Sequence, residues 1–296
     1  MSNPDQIQRF LFDDTQVRGV VTGLQQSYQA ILARDSYPRP VQLLLGEMMA
    51  ACAAISTMMK FDGRLSIQAR GEGALSIIQA ECDNQADIRA IARWQGDISD
   101  ELPPLQLLAE GGRMAITIEP ANGKRYQGVV ALEGDTLAAC LEGYFSRSEQ
   151  LPTRFYLTAD GKDAAAVMLQ ALPEQSHQSR EEYQEDWARL TTLADTLTPE
   201  EMLGLDNETL LTRLYHEETV RTFPAMDMRF YCDCSKERCG AALATLARQE
   251  LDEIFEDEPL IRVHCQFCNE EYCFDQADIE TLFNPNASQG DPGVLH

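Results

Sequence analysis

Histidine and basic residues are scarce in this chain of 296 residues. It carries four His, and 24 Lys and Arg against 48 Asp and Glu, for a formal net charge of −24. A protein that grips nucleic-acid phosphates needs a basic face, and the pattern offers none, so nucleic acid is not expected as a partner. The imbalance runs to the end: residues 232–296 hold fourteen Asp and Glu and four Lys and Arg, the wrong sign for a DNA-reading zinc finger. Long hydrophobic runs are missing too. The longest apolar stretch, Val41 to Met59, contains Gly46 and Glu47 and is short for a membrane span, so no membrane partner is expected. Asp5, Arg9, Asp13 and Asp14 interrupt any N-terminal signal pattern, which makes a cytoplasmic location the expectation. Catalytic signatures are incomplete wherever they begin. His216-Glu217-Glu218-Thr219-Val220 has Val220 where a zincin places its second histidine, and reads with Tyr215 as a helix end. Gly71-Glu72-Gly73 lacks the later glycine of a dinucleotide loop, and no phosphate-loop lysine motif or nucleophile–base pair is found. The chain does not read as an enzyme.

Cysteine, by contrast, is well supplied, with nine residues. Without a secretion signal these thiols point to a reducing compartment, where cysteine binds metal or senses oxidant. Four of them form two close pairs, Cys232-Asp233-Cys234 and Cys265-Gln266-Phe267-Cys268. Zn²⁺ takes four soft ligands at about 2.3 Å, and two short-spaced pairs supply them from two segments. Residues two apart in an extended segment face the same side, so Cys232 and Cys234 can reach one ion. Cys265 and Cys268 sit between the strand-like runs Ile261–His264 and Glu271–Phe274, as at the tip of a zinc-ribbon hairpin. One Zn²⁺ per chain is the expectation. His264 is left without a place because four thiolates fill the shell. Cys52 and Cys140 lie in apolar helical sequence and read as core thiols; Cys239 shares a helix face with Leu243 and Leu246 and reads as buried. Cys82 precedes Asp83-Asn84 in a turn and reads as exposed.

Two chemical readings stay open at this point. A disulfide across Cys-x-Cys closes a very small, strained and labile ring, so the cluster is either a permanently reduced zinc clip or a switch in which oxidant expels the metal. A zinc enzyme of the deaminase or hydrolase type is disfavoured, since it needs an open coordination position and four thiolates leave none.

The remaining chain has the length of two or three domains. Residues 1–173 read as an α+β core: a helix over Gln25–Arg34, an enclosed helix over Val41–Met59 that is apolar nearly all round, and seven strand-like runs separated by Gly and Asp clusters. Asp135 is the expected N-cap of a helix to about Arg147, with Leu137, Cys140, Leu141, Tyr144 and Phe145 on one face. Strands on both sides of buried helices predict sheets that enclose them. Residues 174–231 are polar, acidic and helical, with a capping box and N1 proline at Thr198-Pro199-Glu200-Glu201. Their narrow apolar faces, which include Trp187, Leu190, Leu210 and Leu214, must lie on something else, as a linker or a releasable cover over apolar surface. Residues 232–296 form the small Cys₄ zinc domain.

One family shares these features across essentially the whole chain. Phe61-Asp62-Gly63, Arg125-Tyr126-Gln127-Gly128-Val129-Val130, Leu132-Glu133-Gly134-Asp135, Tyr144-Phe145, Ser148-Glu149-Gln150, Pro152-Thr153 and Tyr215-His216-Glu217-Glu218, followed by the paired cysteines, resemble the bacterial 33-kilodalton chaperonins, redox-regulated holdases of the heat-shock proteins. The resemblance implies zinc on Cys232, Cys234, Cys265 and Cys268, and oxidation that pairs Cys232 with Cys234 and Cys265 with Cys268 and releases the ion. It also implies a reduced monomer, an oxidised homodimer, and ATP-independent binding of unfolding client proteins under oxidative and heat stress. Two positions depart from the pattern: Asn269 stands where glycine is expected after the knuckle, and Cys273 is an extra thiol near the site. The alternative from another class is a constitutive protein-interaction scaffold with a static zinc clip and no redox switch.

Overall fold

The computed structural model describes residues 5–58, 62–108, 111–173 and 179–283. Met59 at the expected end of the core helix, Phe61 of the resemblance, residues 174–178 of the linker and residues 284–296 lie outside them. The chain divides into two compact units, residues 1–231 and 232–296.

The first unit is organised around α2 (Arg39–Ser56), which follows Pro38 and carries Pro40 in its first turn. Proline there gives up an N–H that would be unpaired in any case. Helix α2 is buried along almost its whole circumference and packs on both six-stranded sheets. Its run Ala50, Ala51, Ala53 and Ala54 is fully buried; small side chains of high helix propensity let strands approach from both sides.

One sheet has the order β10-β1-β2-β9-β8, with β11 also on β1: β1 (Gln6–Phe12), β2 (Val17–Leu24), β8 (Thr153–Ala159), β9 (Ala164–Ala171), β10 (Val220–Thr222) and β11 (Met226–Asp227). The other runs β12-β5-β4-β3-β6-β7: β3 (Gly63–Arg70), β4 (Leu75–Asp83), β5 (Asp87–Trp94), β6 (Arg113–Pro120), β7 (Tyr126–Ala131) and β12 (Arg229–Phe230). In this second sheet Ile67, Ala80, Ala90 and Ile116 are buried while Gln68, Gln79 and Gln127 keep partial or full exposure, the period-two alternation of a sheet covered on one face. The expected architecture, α+β with sheets enclosing a buried helix, is the observed one.

The first sheet is covered on both faces, and β9 is buried at all eight residues. Ile7, Val20, Ala166 and Met168 belong to the core around α2. Phe10, Phe12, Val21, Val167 and Leu169 on the opposite face form a second core with α4 (Arg180–Ala194), α5 (Pro199–Gly204) and α6 (Asn207–Leu214). Capping boxes at Ser179 and Thr198 start α4 and α5, and Asp206 caps α6.

Several local expectations differ from the fold. Thr136, not Asp135, caps α3 (Leu137–Tyr144), accepting from the Ala139 N–H at 3.2 Å. That helix passes into a π-helical turn, Phe145–Glu149, and stops at Gln150 with φ 55°, although its five apolar positions are all buried as the spacing requires. Cys82 is fully buried because β4 runs on to Asp83 and aims the thiol inward; burial pushes it up to about 12. Strands β1 and β2 escape the sequence pattern because Gln6, Gln8, Arg9, Gly19 and Gly23 dilute it. Gly19 is required where it stands, since a Cβ there would fall 2.1 Å from the Phe10 ring of the paired strand. After α6 the chain is extended rather than helical, pairing β10 and β11 on β1 and β12 in parallel on β5.

The second unit holds α7 (Lys236–Leu243), α8 (Arg248–Asp257), the hairpin β13 (Ile261–His264) and β14 (Glu271–Phe274), and α9 (Gln276–Phe283). Among the described residues its core is five buried apolar side chains: Leu243, Leu251, Ile261, Phe274 and Ile279.

Candidate metal centre

The β13–β14 hairpin carries the second cysteine pair at its tip, with Ile261 opposite Phe274 and His264 opposite Glu271. The turn is closed by the Cys265 N–H donating to Glu270 O and the Asn269 N–H donating to Cys265 O, both at 2.9 Å. Asn269 takes φ 61°, the left-handed conformation that asparagine tolerates better than other non-glycine residues, so the knuckle keeps its shape without glycine. The first pair precedes α7 directly. Ser235 caps that helix by accepting from the Arg238 N–H at 3.2 Å, which fixes where the extended Cys232–Cys234 segment ends.

These two segments bring four sulfurs together. The Sγ atoms of Cys232, Cys234, Cys265 and Cys268 all lie within 4.8 Å of one another. Cys232 Sγ is 3.6 Å from Cys265 Sγ, and Cys234 Sγ is 3.3 Å from Cys268 Sγ, so each pair touches the other. Four thiolates around one tetrahedral ion at a 2.3 Å bond length stand about 3.8 Å apart, close to these separations. The donor set and its spacing therefore fit a soft divalent ion held by thiolate. Burial opposes ionisation of Cys265, but the backbone N–H groups of Cys268 and Phe267 and the neighbouring thiols outweigh it and draw its thiol down. Cys232 and Cys268 are pushed up, by burial first. A bound cation reverses that balance and favours thiolate at every ligand.

Tyr272 belongs to the site and was not singled out from sequence. Its hydroxyl lies 3.2 Å from Cys234 Sγ, because alternate residues of β14 face alternate sides. The same alternation sends Cys273 to the other face, where its Sγ is 3.5 Å from Glu271 Oε1 and 3.9 Å from Arg262 Nη1. Cys239 packs, half-buried, against the small core. Leu246, expected beside it, is exposed, since α7 ends at Leu243. His264 points its ring toward Asn269 O and Glu271 and is not one of the four grouped ligands.

The residues proposed as a cover lie in the first unit. Leu190 and Leu210 are buried, and Trp187 and Leu214 are half-buried against the same cluster on the first sheet. Sequence reasoning missed Tyr215 as their anchor. Its ring meets Phe12 edge-on at 4.8 Å, and its hydroxyl donates to Leu190 O at 3.3 Å, joining the end of α6 to α4 and β1. Asp195, next after α4, accepts from the Tyr156 hydroxyl at 2.7 Å and from Arg154 Nη2 at 2.8 Å on β8. No helix among the described residues is long and apolar enough to cross a membrane.

Comparison with known proteins adds a consistent set of likenesses. The sequence model of the Hsp33 protein family matches residues 5–275. A 33 kDa chaperonin of Pseudomonas paraeruginosa is 48% identical over 297 residues, covering 100% of both chains. Those of Ectopseudomonas mendocina (49% over 290 residues, 98% of both) and Azotobacter vinelandii (47% over 297 residues, 100% of both) are equally similar. The crystal structure of the Thermotoga maritima 33 kDa chaperonin superposes with a TM-score of 0.79 over 96% of this chain and 99% of that one, at 18% identity, which shows a shared fold.

Proposed function

Since the chain belongs to the Hsp33 family of chaperones, we propose that it is an ATP-independent cytoplasmic holdase switched on by oxidation of its four-cysteine centre. The observation that carries this reading is the convergence of Cys232, Cys234, Cys265 and Cys268 within 4.8 Å in a unit whose own core is five apolar side chains. Those cysteines are the ligands of one Zn²⁺, which when bound supplies a fourfold cross-link between the segment before α7 and the hairpin. Such a cross-link is worth roughly 10–16 kcal/mol in small zinc domains, as much as the whole stability of a typical domain at about 5–15 kcal/mol.

In the proposed switch, peroxide takes two electrons from each cysteine pair. Cys232 joins Cys234 and Cys265 joins Cys268; each S–S bond forms from two thiolates as one peroxide O–O bond breaks, and two protons taken from solvent leave with the two oxygens as water. Both disulfides together consume all four sulfur ligands. The region from 232 onward then loses what orders it, and the segment 174–231, continuous with it through β12, loosens from the 1–173 core. The apolar face formed by Phe10, Phe12, Val21 and Val167, together with the released faces of Trp187, Leu190, Leu210 and Leu214, is the proposed surface for unfolding clients. The acidic excess keeps the opened molecule soluble. The same exposure drives association of the oxidised chain into a homodimer from a reduced monomer.

The test is a combined titration of reduced, zinc-loaded protein with peroxide, following zinc with a colorimetric chelator and aggregation of a heat-unfolded client by light scattering. One equivalent of zinc should leave in step with the gain of holdase activity and with dimer formation. Activity that is already complete in the reduced, zinc-loaded chain would instead favour the static-clip scaffold.

A further inference from the structure

A carboxylate lies in the wall of a cavity whose lining is otherwise mostly hydrocarbon. The cavity, of about 320 Å³, opens between α2, the turn before β6, the start of α3, strand β8 and the chain around α5. Glu47 enters it from α2, a helix whose neighbouring residues are almost all buried. Its side chain has no hydrogen-bond or ion-pair partner among the described residues. Burial alone acts on the carboxyl and pushes it up to about 7.

The charged and titratable groups around it do not relieve this. Asp135 at the start of α3 lines the same cavity, and Tyr156 does so from β8, but the Tyr156 hydroxyl is taken up by Asp195 and Thr191 O. Arg154, beside it, is paired with Asp195 and Glu142. Tyr28 of helix α1 (Gln26–Leu32) donates its hydroxyl to Gln42 O. The turn before β6 and the α5 segment contribute Leu105, Leu197, Pro199 and Met202, and among the described residues no Lys or Arg lines the space. An anion would meet two carboxyl groups of its own sign, and a neutral alcohol would leave the half-buried Glu47 carboxylate unpaired.

We propose that this cavity is a binding site for a small organic cation with an apolar stem, an aliphatic guanidinium or ammonium whose head pairs with Glu47 while its stem lies against Leu105, Leu157 and Met202. The volume is at the lower end of ligand pockets, which run from about 300 to 1,000 Å³, so the ligand is small. A guanidinium–carboxylate pair is charge-assisted and two-pronged. The ligand pairs with the ionised carboxyl, so binding near neutral pH releases the Glu47 proton to the buffer. Leu197, Pro199 and Met202 belong to the cover, so an occupied cavity adds contacts between α5 and the core and favours the docked state by mass action. That regulatory consequence rests on the holdase reading; the binding itself does not.

Isothermal titration of the reduced, zinc-loaded full chain with n-butylguanidinium tests it, with 1-butanol and butyrate as comparison probes and two buffers of different ionisation enthalpy. Saturable one-to-one binding of the guanidinium is expected, with proton release visible as a buffer-dependent heat. Affinity should rise about tenfold from pH 6 to pH 8, following the fraction of Glu47 ionised. Glu47→Gln should weaken binding by at least tenfold and remove both the pH dependence and the buffer effect. In the unmutated chain, carbon-13 NMR of the Glu47 carboxyl should show its midpoint move to lower pH when the probe is present. Absence of saturable heat at millimolar probe, equal binding of 1-butanol, unchanged binding in Glu47→Gln, or an unmoved Glu47 midpoint would each overturn the proposal. Holdase activity enters none of these readouts, so a negative result leaves the chaperone reading untouched.

Discussion

At the scale of single residues, the molecule sets apart cysteines and carboxyls that the sequence presents as equals. Cys265 is the buried member of the four grouped cysteines, at the hairpin tip, with the N–H groups of its own turn directed at its sulfur. Cys265→Ser replaces a soft thiolate with a hydroxyl that is a poor zinc ligand. The expected outcome is loss of stoichiometric zinc from the reduced protein; retention of full affinity would mean that the four ligands are misassigned. Glu47 gives a pH signature in the first unit. Its carboxyl is raised from 4.5 to about 7, so between those values the folded state holds a proton that the unfolded state has lost. The stability this contributes is complete below about pH 4.5 and disappears as pH rises through 7. Glu47→Gln has no ionised form to bury, and should gain on the parent protein by up to about 3 kcal/mol above pH 8 while matching it near pH 4. Urea unfolding followed by tryptophan fluorescence checks this, because Trp94 and Trp187 are the chain's two tryptophans and both belong to the first unit. An advantage of the same size at both pH values would show that the buried charge is not its origin.

At the scale of elements, helices α4–α6 are held on the first sheet by a second apolar core. Leu190 and Leu210 are buried, whereas Trp187 and Leu214 keep part of their surface in water. Truncating a buried leucine costs about 2–5 kcal/mol, so Leu190→Ala with Leu210→Ala should free α4 and α6 more completely than Trp187→Ala with Leu214→Ala. Either double variant, reduced and zinc-loaded, should bind an apolar dye and suppress aggregation of a heat-unfolded protein without oxidant, the leucine pair more strongly. If both stay silent until oxidised, client binding arises elsewhere, for instance from the opened zinc region. These helices were legible because their capping residues and heptad-like spacing act locally. Helix α2 was equally legible, since enclosure on all sides leaves an apolar run with no polar face. Strands β10, β11 and β12 were not. They are two or three residues long and exist only because β1 and β5 offer free edges, which no local pattern records. The same holds for Tyr215, whose sequence context reads as a helix end while its ring and hydroxyl gather α4, α6 and β1. The grouping of Cys232, Cys234, Cys265 and Cys268 was legible from spacing alone, because two short-spaced pairs can converge on one point. Tyr272 beside them was hidden, since one more aromatic in a hairpin strand carries no spacing signal.

At the scale of the whole molecule, the two units differ in what sustains them. Residues 1–231 contain two apolar cores built on either face of a sheet, one of them enclosing α2. Among the described residues of the second unit the core is five buried apolar side chains, and small domains of this kind are commonly completed by a metal. Removing zinc with a strong chelator under reducing conditions should therefore unfold one unit and spare the other. Hydrogen exchange read by mass spectrometry should show α7, α8, α9 and the β13–β14 hairpin losing protection together, while β1–β9 and α2 keep theirs. Strand β12 ends at Phe230, two residues before Cys232, and should be the first part of the larger unit to gain exchange. Because chelation leaves the thiols reduced, this experiment separates loss of the ion from formation of the disulfides. Holdase activity in the chelated, reduced protein would mean that metal loss suffices and the disulfides serve to prevent its return. Inactivity despite an unfolded second unit would assign the disulfides a part in releasing α4–α6. Full protection of α7–α9 without zinc would overturn the premise that the metal sustains this unit.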